Sequence, residues 1–300
     1  MKTLTMGAIL WDIMPSGEYI GGAPFNVSGN LAKLGCQSAI FSCVGEDERG
    51  EKALEAVEKL NVMKDFVLLD KKLPTGTALV HFDEKTNEPS YEIPLSAFDA
   101  LRADDELVAQ MQAFEPDLLY FGTLDQRDVR SRSAISAVLE SVSAKETLFD
   151  VNLRLDFYSK ELLEYGFGYA TIVKINEDEH VVLSKLLYNE ELSREEFAFK
   201  LRWDFPNIHT VIITLGSKGC MVANGEDVFT VPAKEVQVGD TVGAGDAFSA
   251  AYVWAVLSGY DAKTAAKCGS AVGGYVASKI GALPDWDASI YEELKDICKK

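Results

Sequence analysis

Residues 240–248 read Asp240-Thr241-Val242-Gly243-Ala244-Gly245-Asp246-Ala247-Phe248, and an apolar, helix-compatible run continues to Leu257. This is the pattern of a tight turn feeding a helix N-terminus. Gly243 and Gly245 tolerate positive φ and put no side chain between the backbone and a ligand. The first N–H groups of a helix lack internal acceptors and sit at the positive end of its dipole, so the turn can hold an anion. Asp246 would stand beside that anion hole. An acid there repels a bound phosphate unless it has a task, and taking a proton from an attacking hydroxyl is the obvious one. Asp is also a favoured N-cap residue, and these nine residues alone do not separate the two roles.

The composition sets the frame around that turn. A chain of 300 residues with 47% apolar content can bury one large core. Its formal net charge of −18 argues against nucleic acid or an anionic membrane surface as a partner. Positive potential for a phosphate must then come from helix ends, a few Arg or Lys, and metal ions. Residues 1–13 read as a first strand rather than a targeting segment, and no apolar run reaches membrane-spanning length. The five cysteines (Cys36, Cys43, Cys220, Cys268 and Cys298) are scattered, with no C-x-x-C, which suits reduced thiols in a cytoplasm. The three histidines are dispersed, which speaks against a histidine metal site.

Along the chain, residues 3–10 look like a strand, 23–34 a helix with Pro24 near its start and Gly35 past its end, 39–44 a strand and 49–60 a helix. Residues 75–93 hold two β-rich runs, 78–82 and 90–93, joined by a polar turn. With residues around 11–20 they could form a small separate sheet, suited to act as a lid that excludes water; an ordinary surface hairpin would look the same. Beyond residue 100, compact apolar runs at 118–121, 147–151, 171–175 and 211–215 alternate with helical patterns at 129–142, 178–187 and 194–203. That rhythm predicts a largely parallel sheet covered by helices on both faces. Residues 220–223 and 228–231 form a late hairpin turning at Asn224-Gly225, and helices at 244–257, 261–279 and 288–299 close the chain. One α/β domain over 1–300 follows, with the small sheet built from about 11–22 and 75–95. In such sheets ligands bind beyond the carboxyl ends of the strands. Gly122-Thr123, Asn152, Arg154, Asn176 and Gly216 all fall there.

The dipeptide Gly-Lys occurs nowhere, which removes a P-loop, and no G-x-G-x-x-G follows the first strand. Other groups carry the candidate chemistry. Gly21-Gly22-Ala23-Pro24-Phe25-Asn26 sets a glycine pair and an amide at a helix start, though plain helix starts look similar. Asp12, an acceptor when ionised, could grip two sugar hydroxyls or simply be solvated. Asn176-Glu177-Asp178-Glu179 ends a strand with three acids, which suits Mg²⁺ or merely the helix dipole. Thr214-Leu215-Gly216-Ser217-Lys218-Gly219 could face a nucleotide or form a hairpin turn.

Taken in this order, Gly21-Gly22-Ala23-Pro24-Phe25-Asn26, Asn176-Glu177-Asp178-Glu179 and Asp240-Thr241-Val242-Gly243-Ala244-Gly245-Asp246 resemble the ribokinase (PfkB) family of carbohydrate kinases. Val44-Gly45-Glu46-Asp47-Glu48-Arg49-Gly50 and Thr75-Gly76-Thr77-Ala78 fit the same pattern, and the similarity spans essentially the whole chain. Phe121-Gly122-Thr123-Leu124 running to Gln126-Arg127, with Asp150-x-Asn152-x-Arg154, is most similar to fructokinases. The resemblance implies a ribokinase-like Rossmann-type sandwich with a β lid. It implies ATP-dependent transfer of the γ-phosphoryl group to a sugar hydroxymethyl, with fructose to fructose 6-phosphate the leading expectation. Asp246 would be the general base, and the amides of Gly243, Ala244 and Gly245 the anion hole. Asp12, Gly22 and Asn26 would hold sugar hydroxyls, with Arg154 near the sugar or the transferred group, while Phe98 would either close over the sugar from the lid or be a core aromatic. Asn176, Thr214, Gly216, Gly219 and Ser270 would line the nucleotide, Ser270 standing where many relatives place an asparagine. Glu179 would serve Mg²⁺ through water, and Asp240 a monovalent cation, K⁺. Ribose, a 2-keto-3-deoxy sugar acid and a nucleoside are alternative substrates, and a non-catalytic sugar-binding regulator is the rival class. The exposed edge of the lid sheet is where a second copy would pair into a homodimer.

Overall fold

The computed structural model describes residues 1–14, 17–82 and 89–299. In chain order the first elements are strands β1 (Lys2–Met6), β2 (Leu10–Met14) and β3 (Gly17–Gly21), then helix α1 (Ala23–Lys33). Strand β4 (Gln37–Gly45), helix α2 (Glu48–Lys59) and strands β5 (Val67–Asp70), β6 (Gly76–Phe82) and β7 (Pro89–Glu92) follow. After α3 (Asp105–Phe114) the chain alternates through β8 (Leu118–Gly122), α4 (Val129–Ser141), β9 (Glu146–Asp150) and α5 (Lys160–Tyr169). It continues with β10 (Ile172–Asn176), α6 (Glu177–Tyr188), α7 (Arg194–Asp204) and β11 (Thr210–Thr214). The hairpin β12 (Cys220–Asn224) and β13 (Asp227–Val231) leads to α8 (Ala244–Leu257), α9 (Ala262–Ala277) and α10 (Ala288–Cys298).

The main sheet has nine strands in the order β13-β12-β11-β10-β9-β8-β1-β4-β5. From β11 to β5 every pairing is parallel, and only the β11–β12 and β12–β13 pairings are antiparallel. Because strand side chains alternate between faces, the apolar runs divide into two cores. Leu119, Phe121, Val173 and Ile175 join the layer formed by α3 to α7. Leu118, Tyr120 and Ile172 join the opposite layer, with α1, α8, α9 and α10. Helices on both faces explain why the buried strands are nearly uniformly apolar. The α/β fold with a mostly parallel central sheet is thus as the strand–helix rhythm predicts.

In the second layer α8 lies close on α9. Side chains at Gly269 and Gly273 would stand 2.9 Å from the Phe248 ring and 3.0 Å from the Ala244 carbonyl oxygen. These two bare positions let the first turn of α8, which carries Asp246, sit directly on its neighbour.

Strands β3, β2, β6 and β7 form a separate four-stranded sheet in that order, with β2 and β6 parallel and the other pairs antiparallel. The polar turn expected between its last two strands falls at 83–88, outside the described residues. Two side chains fasten this sheet to the body. Asp47 accepts from Gly50 N and Thr75 N at 2.8 Å each and from Thr75 Oγ1 at 2.7 Å, which ties the start of β6 to α2. Arg127 donates to both oxygens of Asp99 and to the carbonyls of Ile93 and Pro94, all at 2.7 Å, which ties the segment leaving β7 to the segment after β8.

One expectation for the first strand does not hold. The run over 3–10 is two strands, because β1 stops at Met6 and the chain turns at Gly7, φ 134°. The Asp125 carboxylate fills the space where a residue-7 side chain would go, 2.2 Å from that position, and accepts from Ala8 N at 2.8 Å. Asp12 therefore lies within β2, paired with Tyr19 and Ala78 in the small sheet, and not just beyond a strand of the main one.

Candidate active site

The turn before α8 has the expected form. Gly243 adopts φ 76° as the residue before the first helical turn, and a side chain there would strike Ala282 at 2.4 Å. Among the described residues, the N–H groups of Gly243 and Gly245 have no acceptor, as an anion hole requires. Ala244 differs from expectation: its N–H donates to the Thr241 carbonyl at 3.2 Å and closes the turn, so in this conformation it is a structural donor. Asp240 braces the same loop, accepting from Val242 N at 3.0 Å and from Gly281 N at 3.4 Å.

Asp246 is half-buried at the mouth of that turn, and its Oδ2 accepts from Asn26 Nδ2 at 2.8 Å. No side chain caps α8. Burial and the Asp150 carboxylate raise the Asp246 pKa to about 6, against the lowering pull of Asn26, Lys174 and Arg154. Among the described residues Asn26 Oδ1 is buried with no partner, an acceptor left open beside the carboxylate. Asp12 is also raised to about 6, by burial first, with Arg154 opposing and Asp246 and Asp240 adding to it. Asp12 and Asp240 face each other across a space between the small sheet and the main body, and Arg154 and Asp246 lie near enough to act on Asp12. A cleft lined by Asp12, Tyr19, Asp240, Val242, Gly281 and Ala282 opens there.

The glycine pair before α1 divides the work. A side chain at Gly21 would come within 2.8 Å of Asp12 Oδ2, so this position leaves room for the carboxylate. Gly22, φ 106°, passes so near the first crossover that a side chain would lie 2.4 Å from the Ala8 carbonyl oxygen. Gly22→Ala should therefore cost about 1–3 kcal/mol in backbone strain and a similar amount in overpacking. Chemical denaturation should show the loss in full, while Gly21→Ala should leave stability nearer wild type and displace the Asp12 carboxylate instead.

The remaining candidates fall at the carboxyl ends of the strands. Arg154 is exposed, between Asn152 (φ 42°) and Leu155 (φ 49°), two side-chain-bearing residues in left-handed conformation. Such outliers cluster at sites whose geometry is imposed by function. Asn176 and Glu179 form a reciprocal cap on α6: Asn176 Oδ1 accepts from Glu179 N, and Glu179 Oε2 from Asn176 N, both at 2.8 Å. Glu179 Oε1 also accepts from Leu153 N at 2.8 Å, so this buried acid ties the Arg154 loop to the end of β10. Thr214 ends β11, and Gly216 (φ 56°) has open space where a side chain would point. Gly219 is different, since a side chain there would lie 2.0 Å from the Val231 carbonyl oxygen; hairpin packing, not ligand approach, requires it. Ser270 is half-buried on α9, its hydroxyl against Cys220. Phe98 stands apart from the open site. It is buried at the root of the small sheet, packed with Leu10, Ala78 and Ile93, with the Arg127 guanidinium 5.1 Å over its ring.

Sequence reasoning passed over Lys174, whose Nζ lies 3.0 and 2.9 Å from the two oxygens of Asp150 beneath the Gly245 turn. The available signal was a lysine inside an otherwise apolar strand, since a buried charge requires a partner.

An acid on the small sheet, two amides without acceptors and the Asp246 carboxylate are groups that phosphoryl transfer to a hydroxyl would use. The sequence pattern of the pfkB family of carbohydrate kinases matches residues 16–288, and the chain belongs to that family and is a phosphotransferase. It is 31% identical to an uncharacterized sugar kinase, PH1459, of Pyrococcus horikoshii, over 95% of this chain and 88% of that one. It is 28% identical to aminoimidazole riboside kinase of Salmonella typhimurium, over 82% of this chain and 78% of that one. The fructokinase of Vibrio cholerae, solved with fructose, ADP and calcium bound, superposes with a TM-score of 0.81 at 26% identity, covering 98% of both chains.

Proposed function

We propose that this sugar kinase transfers the γ-phosphoryl group of ATP to a hydroxymethyl group of fructose, giving fructose 6-phosphate. The observation that carries the reading is the Asp246 carboxylate, held by Asn26 at 2.8 Å beside the two open amides of Gly243 and Gly245. A carboxylate there can take the proton of an attacking hydroxyl while the amides receive the developing negative charge. Asp12 from the small sheet and Asn26 from α1 grip the sugar hydroxyls. The small sheet then acts as a lid that keeps water from the phosphoryl group.

A neutral sugar is favoured over a sugar acid by the charges around the space. Among the described residues acting on Asp12 and Asp246, Arg154 is an exposed cation and Lys174 is committed to Asp150. The nucleotide would lie along Asn176, Thr214, Gly216 and Ser270. Mg²⁺, when bound with ATP, neutralises charge on the phosphate oxygens. Both Glu179 oxygens already accept a backbone N–H, which suits contact with that ion through water. The Asp240 carboxylate, which among the described residues accepts from Val242 N and from Gly281 N beyond α9, suits a monovalent cation such as K⁺ that would stiffen the turn. Pairing of two copies along the lid edge and a cytoplasmic location complete the proposal.

The likeness to aminoimidazole riboside kinase favours a second reading, a riboside as acceptor. An ADP-release assay with ATP, Mg²⁺ and K⁺ across fructose, ribose, tagatose, 2-keto-3-deoxygluconate, adenosine and aminoimidazole riboside separates the two. The expected result is a kcat/KM for fructose well above all others. Preference for a riboside would replace the substrate and keep Asp246 as the base.

A further inference from the structure

Beneath the catalytic turn lies a charge pair that the reaction scheme does not use. Lys174, on β10, and Asp150, at the end of β9, have side chains only 9% and 1% exposed. Asp150 Oδ2 also takes the Ser249 hydroxyl at 3.0 Å and that of Tyr120 at 3.4 Å. Ser249 Oγ is in turn 3.1 Å from the Gly245 carbonyl oxygen. A side chain at Gly245 would stand 3.4 Å from Lys174 Nζ, so the ammonium lies against the bare face of the anion-hole turn. The network thus joins two central strands to the first turn of α8.

We propose that Lys174 is a positioning residue for phosphoryl transfer: by neutralising Asp150 it allows that carboxylate to anchor Ser249 and the Gly245 turn without charging the floor beneath Asp246. This rests on the assignment of Asp246 as general base. Burial opposes the ammonium, yet Asp150, Glu179 and Asp246 together hold it protonated above the ordinary lysine range. The groups acting on Asp246 from the surrounding elements are Asn26 on α1, Asp12 on β2, Asp150 and Arg154 at and after β9, and Lys174 on β10. Without Lys174, Asp150 would be the nearest uncompensated charge, and it would hold the proton on Asp246.

The test compares wild type, Lys174→Met and the charge-neutral Lys174→Met/Asp150→Asn. In each, the Asp246 carboxyl is titrated by ¹³C NMR, its resonance assigned with Asp246→Asn, and kcat and KM for the best sugar are measured across pH. Lys174→Met should raise the Asp246 titration by about one pH unit or more, lower kcat at least tenfold and change KM for sugar little. The double variant should return the titration and most of kcat towards wild type. If Lys174→Met does not fold, recovery in the folded double variant still supports the pairing role. The proposal fails if Lys174→Met leaves both titration and kcat unchanged. It also fails if the double variant is as slow as Lys174→Met, since Lys174 would then act on the substrate directly. If wild type turns over no sugar, the functional assignment fails, while the carboxyl titration still decides the role of Lys174.

Discussion

Asp246→Asn should fold as wild type and lose between about 10² and 10⁴ in kcat. Asparagine is isosteric, and its amide can still pair with Asn26, so the turn before α8 keeps its geometry. What disappears, on the proposed role, is the acceptor for the hydroxyl proton. A coupled turnover assay, with circular dichroism as the folding control, measures this directly. Turnover near wild type would remove Asp246 from the base role, and a loss well beyond 10⁴ would mean that the anion hole is displaced as well. The pH profile gives a second view of the same residue. With its pKa raised to about 6, Asp246 is ionised above that pH and protonated below it. Activity should therefore be retained at neutral pH and fall about tenfold per unit once pH drops below about 6. Asp12 is raised to about 6 as well and, in its proposed sugar-binding role, should contribute to the acid limb of kcat/KM. Saturating sugar would then engage Asp12, leaving the limb of kcat to report Asp246.

Arg127→Met should remove about 3–5 kcal/mol of stability, because it strands the Asp99 carboxylate in the interior. Asp99 is fully buried, and Arg127 supplies two of its bonds while the third comes from Ser96 N at 2.9 Å. The same guanidinium is enclosed by the Phe98 and Phe157 rings, 5.1 and 4.6 Å away. Urea unfolding should show the loss, and Arg127→Met/Asp99→Asn should recover part of it. The nearby Arg130–Asp128 pair, with 48% and 21% of its side chains exposed, is the control; Arg130→Met should cost less than about 1 kcal/mol. Equal effects at both positions would contradict the buried-charge account. A fall in sugar affinity with Arg127→Met, at conditions where the protein remains folded, would tie this anchor to the small sheet.

Much of the architecture is legible in the sequence because it follows from periodicity. The apolar runs of β8 to β11 and the helices between them announce a parallel sheet without any tertiary information. Three elements escape for local reasons. Strand β5 is four residues long, and α3 follows directly on an irregular segment. Helix α5 contains Gly166 and Gly168, which lower helix propensity; Gly166 is there because the Phe149 ring would lie 2.6 Å from any side chain. The turn before α8 is legible because its backbone demands it: the left-handed φ of Gly243 and its contact with Ala282 require a glycine there. The site is illegible where function depends on pairing across the sheet. Nothing in the local sequence of Lys174 points to Asp150, Ser249 or Tyr120, and nothing near Phe98 shows that Arg127 will cover it.

The parallel contact between β2 and β6 has a consequence for how the molecule is made. Those strands are the middle of the small sheet, with Leu10 beside Gly76, and α1, β4, α2 and β5 intervene between them in the chain. A local hairpin cannot build such a sheet; its central pairing waits until the body has brought the two segments together. Its assembly is therefore a late event in folding, and its opening an early one on heating. Asp12 resides in that sheet, whereas Asn26 and Asp246 reside in the body. On the proposed assignment a sugar held by Asp12, Asn26 and Asp246 would bridge the late-forming sheet and the body, and its binding should protect the least stable region of the fold.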